Sequence, residues 1–331
     1  MSGCPPSALH DTATTSQARP RQGRAFLFFS PPNPNVAMLR IALPNKGRLS
    51  QDCRALLADA GLEVRATSER ALVASLGGEF EALFVRAQDI PEFVADGAAD
   101  AGITGWDLVC ESDRPVESRL DLEFGRCRLV VAVREDADVQ SLEDVASESR
   151  VATVFPSLAR AFFAGAGKAV AIVSVSGAAE IAPHLGIADL VVDLTSTGST
   201  LRVNGLREIA TVLDSSARLI TAREPGVSRR ADDERAATAV QTDELVTALQ
   251  SVLAARSRRY VMANVPRAAL DAVRRILPGI SGPTVIDLLD GGAMVAVHAV
   301  APAATLYRTL CELKQLGGEG ILVTRIERLM A

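Results

Sequence analysis

Hydrophobic positions recur with a regular period only from Leu39 onward. Ahead of it the chain is polar and Pro-bearing, apart from the five-residue run AFLFF at 25–29, so residues 1–38 are expected to form a disordered extension. That run is too short for the core of a secretory signal, which takes about 7–15 apolar residues. LRIAL (39–43) reads as a strand, PNKGRLS (44–50) as a turn and QDCRALLADAG (51–61) as a helix. Cys53, Leu56, Leu57 and Ala60 share one face of that helix, and Gly61 follows its end.

The alternation of strand and helix continues. ALFV (82–85) runs into Arg86, a helix carrying Phe93 and Val94 ends at Gly97, and ADAGITG (99–105) closes a short buried strand followed by Trp106 and Asp107. CRLVVAV (127–133) and RVATVFP (150–156) are further buried strands. Residues 169–194 give a strand, a Ser/Gly turn, a short helix and another strand. Near-continuous apolar strands between helices point to parallel sheets covered on both faces. Ligands of such sheets sit beyond the carboxyl ends of the strands.

After an amphipathic helix at 245–257 the register changes. Strand 258–265, helix 266–279, strands 283–289 and 293–300, helix 302–318 and strand 320–327 give the order βαββαβ, a ferredoxin-like domain. The charged, Pro-bearing stretch 223–238 reads equally as a loop or a helix start.

Composition narrows the function classes. The 331 residues suffice for two or three domains. A formal charge of −5 gives no general affinity for nucleic acid or an anionic membrane, so a bound anion needs a local cluster of cations and amides. Five scattered cysteines without a CxxC spacing point to reduced thiols in a cytoplasmic protein, against a disulfide frame or a zinc site. Three histidines leave little for a His-based metal site or triad. No apolar window approaches the length of a membrane-spanning helix.

Two stretches carry candidate chemistry. In VVDLTSTGSTLRVNG (191–205), an apolar strand ends at Asp193 and continues into Thr195, Ser196, Thr197, Gly198, Ser199 and Thr200. Hydroxyls and amides in such a loop form a nest for phosphate, and the aspartate can accept sugar hydroxyls. In the turn at 44–50, Lys46, Gly47 and Arg48 combine two cations with a helix start, which suits phosphate and equally a solvated basic turn.

From residue 39 to 331 the chain resembles the ATP phosphoribosyltransferases. The resemblance rests on RIALPNKGRLS, ADAGITGWD, CRLVVAV, SGAAEIAP, ADLVVDLTSTGSTLRVNGL and GGEGILVTRIE. A single acid before the phosphate loop, Asp193 followed by Leu194, sets it apart from the commoner phosphoribosyltransferases with two adjacent acids.

The resemblance implies a two-lobed, periplasmic-binding-protein-like α/β core of mostly parallel sheets and a C-terminal ferredoxin-like regulatory domain. One lobe would take residues 39–127 with about 214–245, the other 128–213, and the regulatory domain 258–331. The implied reaction joins N1 of ATP to C1 of phosphoribosyl pyrophosphate and releases pyrophosphate. Thr195 to Thr200 would cradle the 5-phosphate and Asp193 would orient the ribose. Lys46, Gly47, Arg48 and Arg86 would meet pyrophosphate or triphosphate oxygens.

Arg128 reads as another such cation or as a surface arginine. Glu180 reads as a ribose ligand or as a carboxylate at a helix start, and Asp107 is similarly placed. Mg2+ would be chelated by the pyrophosphate, with no protein ligand set assigned. The long form of the family implies inhibition by L-histidine, with Ile280, Thr284, Gly318 and Gly320 carried over as its contacts, and assembly into dimers and hexamers. A phosphoribosyltransferase for another base and a two-lobed solute-binding protein are the competing readings, the latter needing a secretory signal.

Overall fold

The computed structural model describes residues 38–330 except 67, 69, 70, 224–231, 290 and 291. The expected extension therefore lies outside the described residues apart from Met38.

The first sheet is built from β1 (Leu39–Pro44), β2 (Val64–Arg65), β3 (Val73–Leu76), β4 (Phe80–Val85), β5 (Ala101–Gly105) and β6 (Val116–Asp121), with α1 (Arg48–Asp59), α2 (Ile90–Ala95) and α3 (Trp106–Ser112) between them. The chain then enters a second sheet of β7 (Cys127–Arg134), β8 (Ser149–Thr153), β9 (Val170–Ser174), β10 (Leu190–Thr195) and β11 (Leu206–Ser215), interleaved with α4 (Pro156–Gly165) and α5 (Ser199–Val203). One residue, Ser216, separates β11 from β12 (Ala217–Ala222), which returns to the first sheet. The two lobes are thus joined by β6–β7 and by β11–β12.

The order in the first sheet is β2-β3-β4-β1-β5-β12-β6 and in the second β11-β7-β10-β8-β9. The parallel part is the centre of the first sheet, β4, β1 and β5, and one side of the second, β10, β8 and the edge strand β9. The expectation of mostly parallel sheets is corrected to mixed sheets. The strands next to the crossings run antiparallel, because a chain that leaves one sheet for the other must come back in the opposite direction.

The predicted faces are the buried ones. Cys53, Leu56 and Leu57 of α1, with Ala60 at its C-cap, share one core cluster with Ile41 and Leu43 of β1 and Leu245, Leu249 and Val252 of α6 (Asp232–Arg256). Each such leucine contributes about 2 kcal/mol by leaving water. Helix α6 begins well before residue 245, so 232–238 of the ambiguous stretch is helical. No helix of the described residues is long and apolar enough to cross a membrane.

Beyond α6, β13 (Arg258–Pro266), α7 (Leu270–Ile276), β14 (Thr284–Asp287), β15 (Met294–Pro302), α8 (Leu306–Gln315) and β16 (Glu319–Arg325) form an antiparallel sheet of order β14-β15-β13-β16. Val261, Ala263, Val265, Val295 and Val297 face α7 and α8 through Val273, Leu277 and Leu313. This is the ferredoxin-like arrangement expected from the sequence.

Candidate active site between the two lobes

Strand β10 is buried through Val192, and its loop then turns on Thr195. The buried Thr195 Oγ1 accepts a hydrogen bond from Gly198 N at 2.8 Å, closing the loop into a tight ring. Gly198 has φ +74°, a left-handed conformation that favours glycine, and α5 starts directly after it. The hydroxyls of Ser196, Thr197, Ser199 and Thr200 belong to exposed residues. Thr197 Oγ1 and Ser199 Oγ share a hydrogen bond of 2.9 Å. The loop thus offers a set of hydroxyls and amides beside no basic side chain of its own.

Asp193 stands at the loop's entrance, half-buried, with Leu194 N donating to its Oδ1 at 2.7 Å. Burial pushes its pKa up, and the charge of Glu180 adds to that shift. Glu180 lies on the one-turn helix Ala179–Ile181 and is half-buried too. Two carboxylates therefore sit near the mouth of the loop, each able to accept hydroxyl hydrogen bonds.

Between the lobes two cavities of about 330 and 240 Å³ share Cys127 and Ser196 in their walls. The larger is lined by Arg126, Arg128 and Arg218, with Asp121 and Asp214. The smaller brings Leu49, Gly105 and Asp107 of the first lobe against Leu194, Thr195 and Ser196 of the second. Arg128 lies opposite Thr195 in the sheet register and pairs with Glu208 at 2.8 Å. Arg218 pairs with Asp121 at 3.2 Å, and its guanidinium is 5.6 Å from the centre of the Trp106 ring.

Asp107 is buried at the start of α3. Ser215 Oγ donates to its Oδ1 at 2.5 Å and accepts from its backbone N–H at 3.0 Å. Burial raises the pKa of Asp107, a shift that the Ser215 hydrogen bond opposes.

The structure brings Asp107, Arg128, Thr195 and Ser196 to one pair of cavities, with Asp193 on the same strand end. Lys46 instead lines a separate cavity of about 660 Å³ in the first lobe, with Asn45, Arg54 and Phe84. Gly47 is exposed in the same turn, with φ +84°. Arg48 opens α1, but its side chain lies outside the described residues. Arg86 is exposed ahead of the one-turn helix Ala87–Asp89 and is not among the residues lining these cavities.

In the third sheet, Thr284 stands on the β14 edge, with Ile280 exposed before it, and Gly318 and Gly320 flank the start of β16 on the opposite edge. Three inter-strand spacings, about 14 Å, separate those edges. On the face turned away from the helices, Tyr260 OH and His298 Nδ1 are hydrogen bonded at 2.7 Å, and His298 is the register partner of Thr284.

Sequence reading missed Arg126, Arg218 and Glu208. Arg126 directly precedes β7 and Arg128 is its second residue, so the pair of arginines at the strand's start was the usable signal. Arg218 and Glu208 lie on β12 and β11, strands that the hydrophobic pattern did not reveal. Among the described residues no group of three or more His, Cys, Asp or Glu is arranged to hold a metal ion.

A family model described as ATP phosphoribosyltransferase matches residues 86–251, and one described as HisG, C-terminal domain, matches 255–328. The chain is 69% identical over 300 residues to the ATP phosphoribosyltransferase of Gemmatimonas aurantiaca, covering 88% of this chain and all of the relative. It is 48% identical over 294 residues to the enzyme of that name from Halobacterium salinarum, with the same coverage of both chains. Among solved structures, a chain of the ATP phosphoribosyl transferase (HisG:HisZ) complex from Thermotoga maritima aligns with a TM-score of 0.53 and 26% identity, over 63% of this chain and 98% of that chain.

Proposed function

The chain belongs to the ATP phosphoribosyltransferase family, catalysing the first step of histidine biosynthesis, and on that premise we propose how its residues divide the work. The reaction transfers the phosphoribosyl group of phosphoribosyl pyrophosphate to N1 of ATP and releases pyrophosphate. The observation that carries the assignment is that the Thr195–Thr200 loop places Ser196 in the wall of a cavity lined by Arg126, Arg128 and Arg218.

The loop takes the 5-phosphate through its amides and hydroxyls. Asp193 and Glu180 accept the ribose hydroxyls, which holds C1 in one orientation. Adenine N1 carries a free lone pair, so it attacks C1 without prior loss of a proton. The C1–O bond breaks as the new bond forms, and its electron pair leaves on pyrophosphate. Arg126, Arg128 and Arg218 stabilise that developing negative charge from fixed positions in a sheltered cavity. Mg2+ entering with the substrate pyrophosphate would supply further charge neutralisation, with no protein ligand set assigned to it.

Lys46, Gly47, Arg48 and Arg86 keep their assignment to triphosphate or pyrophosphate oxygens. They follow the carboxyl ends of β1 and β4, beside the β5 end that presents Asp107.

The ferredoxin-like domain binds L-histidine and lowers activity, and the chain works as a homo-oligomer of dimers or hexamers in the cytoplasm. For one histidine molecule we retain the β14 edge, Ile280 and Thr284. Gly318 and Gly320, on the opposite edge of the same sheet, would join that site only through a second copy of the chain.

The test is the initial rate with ATP, phosphoribosyl pyrophosphate and Mg2+, with and without millimolar L-histidine, for the full chain and for a chain ending at Ser257. Inhibition of the full chain and none of an active truncate is expected. An active full chain that histidine leaves unaffected would overturn the regulatory assignment.

A further inference from the structure

Arg128 does not face the cavity alone. Its two terminal nitrogens meet both oxygens of Glu208, Nη1 to Oε2 at 2.8 Å and Nη2 to Oε1 at 3.2 Å, and Nη1 also reaches Thr211 Oγ1 at 3.4 Å. The pairing is end-on and bidentate, the arrangement in which a carboxylate fixes both the position and the plane of a guanidinium. Both partners are partly withdrawn from solvent, the side chains being 37% and 28% exposed.

The same carboxylate lies beside the phosphate loop, in the space a side chain on Gly198 would need. Glu208 Oε1 lies 2.9 Å from the point where a Cβ on Gly198 would stand. Glu208 thus pairs with Arg128 on one side and lies next to the left-handed glycine of the loop on the other. Its placement depends on a local irregularity, since the β11 register shifts between Glu208 and Ala210. Such a bulge re-aims the side chains beside it.

A bare carboxylate beside a phosphate loop would repel the substrate. Bound to Arg128 it is neutralised, and the arginine is held ready instead of sampling its many rotamers. We propose that Glu208 is a positioning residue that locks Arg128 against the 195–200 loop, so that phosphoribosyl pyrophosphate meets a preformed cation. This rests on the reading of that loop and Arg128 as parts of the phosphoribosyl pyrophosphate site.

The experiment is a steady-state double-mutant cycle on the full chain, using Glu208→Gln, Arg128→Ala and the double variant, with Glu208→Asp as a second probe of the carboxylate. Glu208→Gln keeps the size of the side chain and removes its charge. The expected result is a KM for phosphoribosyl pyrophosphate raised about tenfold and a lowered kcat, since Arg128 also meets the leaving pyrophosphate, with the KM for ATP within about threefold of the parent. The double variant should bind no more weakly than Arg128→Ala alone, because Glu208 acts through the arginine. Glu208→Asp should recover part of the loss.

Additive effects in the cycle would overturn the proposal, as would equal rises in both KM values. A lower KM for phosphoribosyl pyrophosphate in Glu208→Gln would also overturn it, making Glu208 a competitor for Arg128. If Arg128→Ala itself leaves that KM unchanged, the assignment of Arg128 to the site fails, and Glu208 loses its role with it.

Discussion

The carboxylate of Glu111 accepts hydrogen bonds from the backbone N–H of Ser157 at 2.9 Å, through Oε1, and of Leu158 at 3.0 Å, through Oε2. Helix α4 needs this acceptor, because Phe155 at its N-cap makes no side-chain cap and Pro156 has no N–H to give. Glu111 belongs to α3 of the first lobe, so the first turn of a second-lobe helix is completed by the other lobe. Replacing it, Glu111→Ala, should cost about 1–2 kcal/mol, a typical cap loss, and should speed hydrogen exchange at Ser157 and Leu158. Unchanged exchange at those two amides would show that the contact does not hold the lobes.

Gly198 is constrained twice, by φ +74° and by Glu208 Oε1 at 2.9 Å from its missing Cβ. Gly198→Ala therefore strains the loop by about 1 kcal/mol and pushes Glu208 away from Arg128. The fold should persist, while the KM for phosphoribosyl pyrophosphate rises at least about tenfold and that for ATP changes less. Substrate titration kinetics decide it, and an unaffected phosphoribosyl pyrophosphate KM would contradict the geometry.

Asp193 illustrates a cost that function imposes. Burial first, and then the charge of Glu180, raises its pKa, while the Leu194 N–H pulls it back. A carboxyl whose folded pKa is raised contributes its stability in the protonated form. That contribution is complete below the unfolded value, near 4, and is lost as pH rises through the folded value. At neutral pH the charged Asp193 is thus a burden on the ligand-free fold. Asp193→Asn should raise the melting temperature at pH 7.5 and weaken phosphoribosyl pyrophosphate binding, with the stability gain shrinking toward pH 4. A lower melting temperature at pH 7.5 would reverse this account.

The parts of the fold legible in sequence are those where an apolar run ends on a clear stop. LRIAL, the buried face of α1, the β10 strand with its loop, and the βαββαβ order all have that character. The crossing strands do not. β11 carries two register shifts, which break the alternation that would have announced it, and β12 sets Arg218 among apolar neighbours. The arginines of the cavity were partly hidden for that reason. Lys46 shows a different limit: its turn, expected over 44–50, is only 45–47 because α1 starts at Arg48, and its side chain lines a first-lobe cavity while Leu49, three residues on, lines the cleft. Likewise Thr284 and Gly320 fall on opposite edges because strand order, unlike strand identity, is not written in local pattern.

The central claim is that the Thr195–Thr200 loop holds the phosphoribosyl moiety, and Thr197→Ala tests it most directly. Thr197 is exposed, and among the described residues its hydroxyl bonds within the loop, to Ser199 Oγ at 2.9 Å and from Ser199 N at 3.4 Å, so its removal leaves the core untouched. Measured side by side, the KM for phosphoribosyl pyrophosphate should rise several-fold or more while the KM for ATP stays near the parent value. Equal changes in the two constants, or a change confined to ATP, would contradict the assignment of the loop.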